Sequence, residues 1–179
     1  AHTGQKIILT HGETLDEHGN FTNANFQDDT RHQEGGIRQQ IIYTCKEGRN
    51  HYKARFTIFG FRYAKVETDI DLNGAKFTAI AVYSDMEDVG SFACSNADVN
   101  QLFHNSVWSM KSNFCDVPTD CPTRERAAWT GDMGVFIETG LYLADCYPVV
   151  RKWLAECRLN QYPGGQVAVI APHIGTPSP

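Results

Sequence analysis

Apolar positions alternate in the first half of the chain and recur at helical spacing in the second. KIILTHGE, RQQIIYTC, HYKARFTIFGFRYAKVET and KFTAIAVYSD are rich in the β-branched and aromatic residues that suit a pleated, partly buried surface. In ARFTIFGFRYAKVET, Phe56, Ile58, Gly60, Arg62, Ala64 and Val66 fall on one strand face. Thr57, Phe59, Phe61, Tyr63 and Lys65 fall on the other. Both faces carry apolar bulk, so the run reads as a strand between two layers. Gly60 marks a bulge or a close backbone approach. The turn formers DEHGN, KEGRNH and DLNGAK separate the runs, and Asn73-Gly74 signals a hairpin between AKVETDIDL and AKFTAIAVY. Strands with regular turns predict an antiparallel β-sandwich.

The period changes after SDMEDVGSF. Ser95 followed by Asp98 resembles a capping box with Asp in place of Glu. Val99, Leu102, Phe103, Val107 and Met110 then recur on one helical face. A second helix is expected through GVFIETGLYLAD. A third is expected through PVVRKWLAECRLNQ, with Pro148 in its first turn and YPGG as its stop. QVAVIAP reads as a short extended segment. Strands followed by helices predict an α+β chain of two units rather than an α/β sheet. The composition shift sets those units at 1–91 and 92–179. Three helices do not close a large all-α architecture, so the second unit reads as a piece of something bigger; an independent three-helix bundle is the alternative.

Totals narrow the partners. Hydrophobic residues make up 41% of the 179 and charged residues 21%, which predicts a folded chain. A net charge of −5 argues against nucleic acid or an anionic membrane surface as partner. No apolar run is long enough to span a bilayer. AHTGQKIILTHGE has no basic region followed by an apolar one, so it does not read as a signal peptide. It also lacks a starting Met, which fits a processed or truncated chain. The six cysteines are widely spaced and contain no CxxC, so buried free thiols are expected rather than disulfides. The histidines do not cluster with them at zinc-ligand spacing. Asp28, Asp29 and Glu34 lack the full oxygen set for calcium, so no metal is expected.

The densest chemistry lies in DVPTDCPTRERAAWTGDMGVF, residues 116–136. Asp116-Val117-Pro118 and Cys121-Pro122 should be extended, because a residue before proline avoids the helical region. Pro122 suits a first helical turn. If a helix follows it, Glu125, Trp129 and Asp132 stand at i, i+4 and i+7 and share a face, with Asp120 just ahead. Glycoside hydrolysis uses such a set: one carboxylic acid protonates the departing oxygen, an indole supports the apolar face of a sugar, and further carboxylates hold hydroxyl groups. A second reading stays open on the residues alone. Acids near a helix N-terminus favour its dipole, Arg124 and Arg126 could pair with Asp120 or Glu125 on a solvated face, and Trp129 could be core.

DVPTDCPTRERAAWTGD resembles the signature of the bacterial α-L-rhamnosidases, glycoside hydrolase family 78, roughly V-P-T-D-C-P-x-R-(acid)-E-R-x-x-W-x-G-D. FTIFGFRYAKVE, GSFACSNADVNQLFHNSVWSMKSNFCDVPTDCP and KWLAECRLNQYPGGQVAVIAP extend the resemblance along most of the chain. It implies part of a β-sandwich followed by the first helices of an incomplete (α/α)6 barrel. It also implies an inverting hydrolase that releases terminal L-rhamnose from rhamnosides without a cofactor. Glu125 matches the general acid, and Asp120, Trp129 and Asp132 match residues lining the rhamnose subsite. Arg124 and Arg126 match flanking arginines, and Cys121 a cysteine with a packing role.

There are departures from the signature. Only Glu125 stands between the two arginines, which shortens the spacing by one residue, and Ala127-Ala128 replaces a pair usually ending in glycine. Inversion also needs a second carboxylate as base. Glu138, Asp145 and Glu156 fall on helices expected to pack the barrel, so the resemblance implies a base beyond this chain and no hydrolysis by the chain alone. An incomplete barrel should also expose apolar helix faces and self-associate through them. The bacterial cytoplasm is favoured as compartment.

Elsewhere, Trp108 and Trp153 are expected in the core, and His104 on a helix surface or between helices. Arg62 and Tyr63 are expected to be structural. His173, in APHIGTPSP, is a further candidate for lining the sugar pocket. Two other functions remain open: another sugar specificity on the same barrel, and a carbohydrate-binding module without chemistry.

Overall fold

The computed structural model describes residues 1–26 and 39–173. Asp28, Asp29 and Glu34 lie outside them. The chain is α+β, as its periodicities predict, and forms two compact units, Ala1–Ile80 and Ala81–Pro179. That division falls ahead of the composition shift at 91.

The first unit is built on a three-stranded antiparallel sheet. Its strands, with two short ones between, are β1 (Lys6–Gly12), β2 (Thr14–Leu15), β3 (Phe21–Thr22), β4 (Gln40–Thr44) and β5 (Tyr63–Thr68). β1 is central, with β4 and β5 on either side. Ile8 stands opposite Ile42 and Glu67, and Leu9 opposite Ile41 and Val66. β2 and β3 pair across a turn tied by Asp16, whose carboxylate accepts from the His18 and Asn20 amides.

Two strand expectations are only partly met. The long run through Phe61 becomes a strand only at Tyr63. β1 ends at Gly12, opposite Tyr63, so earlier residues have no partner in the ladder. Phe56 also takes a left-handed φ of 58°, which breaks an extended run. Phe59 and Phe61 instead pack on His11, Phe59 stacked at 4.5 Å between ring centroids. The Asn73-Gly74 turn does form: Gly74 has φ 79° and the Ala75 amide donates to the Leu72 carbonyl at 2.9 Å. Asp71 holds it by accepting from the Asn73 amide. No ladder follows it, so KFTAIAVYS is not a strand here and Phe77 and Ile80 are exposed.

The second unit contains α1 (Ala97–Asn113), a tight hairpin of β6 (Phe114–Cys115) and β7 (Val117–Pro118), α2 (Thr130–Leu143) and α3 (Tyr147–Leu159). The α1 cap is Asn96 rather than Ser95: Asn96 Oδ1 accepts from the Asp98 and Val99 amides at 2.9 and 3.3 Å. α2 begins ahead of the expected GVFIETGLYLAD. Pro148 sits in the first turn of α3, where a missing N–H costs no bond.

Met86, Met110, Phe114, Met133, Leu143, Cys146, Trp153 and Cys157 form one connected core, and the Trp153 indole N–H donates to the Ala171 carbonyl at 2.7 Å. Trp108 departs from expectation: it is 45% exposed, edge-on to Tyr83 and beneath the Lys111 ammonium. Residues 84–90 pack on the helices, with the Val89 and Gly90 amides donating to the Leu143 carbonyl at 3.1 and 3.2 Å. A methyl group at Gly90 would collide with the Tyr142 carbonyl oxygen, so that contact requires glycine. All six cysteines are free, and Cys45, Cys146 and Cys157 are buried.

Candidate active site

The signature is held between the end of α1 and the start of α2. Thr119 fastens its entry: its amide and hydroxyl donate to the Asn113 carbonyl at 2.9 and 3.1 Å. Asp116, at the hairpin tip, takes a left-handed φ of 73° rather than the extended form expected before Val117-Pro118. Its amide donates to Ser84 Oγ, and its carboxylate receives Lys152 Nζ at 2.8 Å. Asp116 is thereby tied to two other parts of the unit.

No helix follows Pro122. Residues 121–128 form a loop, so the shared helical face expected for Glu125, Trp129 and Asp132 does not exist. The reason lies in Asp120. Its amide donates to the Ala127 carbonyl and its Oδ1 accepts from the Ala127 amide, both at 3.0 Å. These bonds close a loop that helical geometry would open. Arg126 takes a left-handed φ of 48° inside it, at the place where the signature is shortened. The helix starts only at Thr130, which puts Asp132 in its first turn, where a carboxylate meets the positive end of the helix dipole.

The loop nevertheless brings the candidates into two groups. Trp129 Nε1 donates to Glu125 Oε2 at 3.1 Å, so acid and indole touch. Both are half-buried. Asp120 and Asp132 line a common cavity of about 520 Å³, walled by Met110, Phe114, Met133 and Phe136. Glu125 and Trp129 are not among its lining residues. The predicted extended segment QVAVIAP pairs with the backbone on either side of Trp129. Thr130 donates its amide to the Val169 carbonyl at 2.9 Å, and Ala171 donates to Ala128 at 3.1 Å.

Arg124 is exposed. His173 is tied through its amide to Asn160 Oδ1 at 3.0 Å, beyond the end of α3, and does not line the cavity. Sequence reasoning did not single out Ser109, Asn113 or Thr119, which do line it. Thr119 lies within VPTDC, while Ser109 and Asn113 carry only the i, i+4 spacing of a common helix face. Among the described residues, no group of three His, Cys, Asp or Glu side chains could hold a metal ion.

Comparison with known proteins gives these elements a family. The model of the bacterial α-L-rhamnosidase concanavalin-like domain matches residues 1–83, and that of the six-hairpin glycosidase domain matches residues 87–179. The chain belongs to the bacterial α-L-rhamnosidase family. An α-L-rhamnosidase of Formosa agariphila is 33% identical over 175 residues, and one of Alteromonas sp. is 31% identical over 176. Each comparison covers 96% of this chain and 18% of the relative's length. In structure, the native rhamnosidase of Aspergillus terreus matches at a TM-score of 0.83 and 34% identity, over 98% of this chain and 20% of that one. The Streptomyces avermitilis rhamnosidase complexed with L-rhamnose matches at 0.84 and 30%, over 98% and 16%. This rhamnosidase-family chain therefore spans about a fifth of the length of these relatives.

Proposed function

We propose that the chain carries the acid half of an inverting α-L-rhamnosidase active site, acting on L-rhamnose-containing glycosides. Glu125 is the general acid. It protonates the glycosidic oxygen as the bond to the anomeric carbon breaks, while a water deprotonated by a second carboxylate attacks from the opposite face. Trp129 supports the apolar face of rhamnose, and Asp120 and Asp132 accept from its hydroxyls. Asp120 has Oδ2 for this, since Oδ1 holds the loop. Arg124, which flanks Glu125 in sequence, orients carboxylates rather than touching the sugar.

The observation that carries this reading is the contact of Glu125 with the Trp129 indole, beside a cavity bearing Asp120 and Asp132. In this reading Glu138, Asp145 and Glu156 serve the packing of the barrel helices, so the base belongs to another part of the full protein and the chain alone does not hydrolyse. The reading assigns residues 1–91 to a β-sandwich and 92–179 to the start of the barrel. The exposed Val135, Leu141, Tyr142 and Leu159 fit self-association of the isolated chain through its helices.

The test is release of L-rhamnose by the full-length protein from an alkyl α-L-rhamnoside, with the product anomer followed by NMR. Glu125→Gln should lower kcat by about 10²- to 10⁴-fold, the usual contribution of general acid–base catalysis. A variant with unchanged kcat would sink the acid assignment, and a retained anomer would sink inversion.

A further inference from the structure

An acid presented by neither helix nor strand needs another means of fixing its direction. The loop from Asp120 to Trp129 supplies four. Asp120 and Ala127 close it with a reciprocal pair of bonds at 3.0 Å. Thr123, within it, is only 2% exposed. The Glu125 amide turns inward and donates to Cys121 Sγ at 3.2 Å. The Glu125 carboxyl meets Trp129 Nε1 at the other end of the same residue. Glu125 is thus held by its backbone and by its side chain, and the backbone anchor is a sulfur atom.

We propose that Cys121 is a positioning residue for Glu125. The inference rests on the reading of Glu125 as the general acid. The sulfur touches no reacting atom and forms no bond to the sugar. Its lone pairs accept the Glu125 N–H and so set the angle from which the carboxyl reaches the departing oxygen. Sulfur is a weak acceptor, yet the amide it engages is half-buried and needs a partner. Two neighbours separate this role from mere filling of space. Asp120, the residue before Cys121, closes the loop through bonds of its own, so losing the sulfur does not open the loop. Trp129 retains its bond to the carboxyl, so the acid stays near its place but is less well aimed.

A misaimed acid has a recognisable kinetic signature. An alkoxide leaving group needs its proton in the transition state, whereas 2,4-dinitrophenolate departs without one. Poor aim therefore slows the first substrate more than the second, while a damaged fold slows both alike. The experiment measures kcat and KM of the full-length protein on methyl and 2,4-dinitrophenyl α-L-rhamnosides. Wild type, Glu125→Gln, Cys121→Ala and Cys121→Ser are compared, and folding is checked by thermal melting.

Loss of one bond that orients a reacting group should lower kcat of Cys121→Ala on the methyl glycoside by roughly tenfold. On the dinitrophenyl glycoside the loss should be under about threefold, with KM unchanged on both. Cys121→Ser keeps an acceptor on the same Cβ and should recover to within about threefold of wild type. If Cys121→Ala fails to fold, Cys121→Val fills the space without an acceptor and should give the same ratio. Equal losses on both substrates, a raised KM at constant kcat, or a serine variant no better than alanine would overturn the proposal while Glu125→Gln still separates the two leaving groups. If Glu125→Gln does not separate them, the acid assignment fails and this inference falls with it.

Discussion

The β unit and the helical unit both carry many apolar residues, but among the described residues only the helical unit buries them in a connected core. In the helical unit, Met86, Met110, Phe114, Met133, Leu143 and Trp153 pack against one another. In the β unit, Cys45 is the one hydrophobic residue in the core among the described residues, while Ile42, Phe56, Phe61, Phe77 and Ile80 are exposed. A helix satisfies its backbone internally and needs only one stripe covered, so three helices can cover one another. A sheet needs a second layer against its face. The candidate site is accordingly anchored in the unit with the core, where Trp153 and Ala171 support the QVAVIAP segment beside Trp129. Trp108, Trp129 and Trp153, the only tryptophans, also lie in the helical unit, so their fluorescence reports on that unit alone.

The largest expected effect on stability comes from the centre of that core. Trp153 is 4% exposed and its indole N–H is bonded to Ala171. Trp153→Ala should cost about 3–5 kcal/mol, the usual range for a buried tryptophan truncated to alanine. Thermal melting followed by Trp108 and Trp129 fluorescence should shift downward. Amide exchange in β1, which belongs to the other unit, should remain unchanged. Loss of protection in both units together would show that they melt as one and break the contrast drawn above.

A smaller effect tests the surface of the same unit. Gly90 lies against the Tyr142 carbonyl, and an added methyl group has backbone, not a flexible side chain, to displace. Gly90→Ala should cost about 1–3 kcal/mol, in the range of overpacked cores. A Tm unchanged in the tryptophan signal would show that residues 84–90 move aside without cost.

What could be read from the sequence follows what is local. α3 was legible because Pro148, its apolar spacing and YPGG all act within the segment. The Asn73-Gly74 turn was legible for the same reason, through Asp71 and Gly74. The strand expected after it was not, because a ladder depends on a partner that no local pattern supplies. Glu125 and Trp129 do meet, but through the loop and not on the helical face expected for them. The bonds between Asp120 and Ala127 override the helix that Pro122 would start, and no periodicity shows a side chain accepting from an amide seven residues on. Ser95 and Asn96 are both capable caps by residue type, so residue type alone did not choose Asn96 for α1.

The smallest effect uses thiols to separate the units again. Burial raises the Cys146 thiol above its ordinary pKa by disfavouring the thiolate, and does the same for Cys157. Both lie in the helical core. In the unfolded chain these thiols ionise near pH 8.5, the ordinary value, while in the folded chain they keep their protons to higher pH. Above the ordinary value the folded state therefore binds more protons than the unfolded state, and stability falls as pH rises. Below it both states are protonated and the contribution is constant. Urea titrations followed by tryptophan fluorescence should show a midpoint that is flat from neutral pH to about 8 and declines above it. Replacing both cysteines with alanine should lower the midpoint at neutral pH but remove the thiol part of the alkaline decline. A decline of undiminished slope in that double variant would assign it to other groups, and the buried thiols would then not account for how the helical unit responds to alkali.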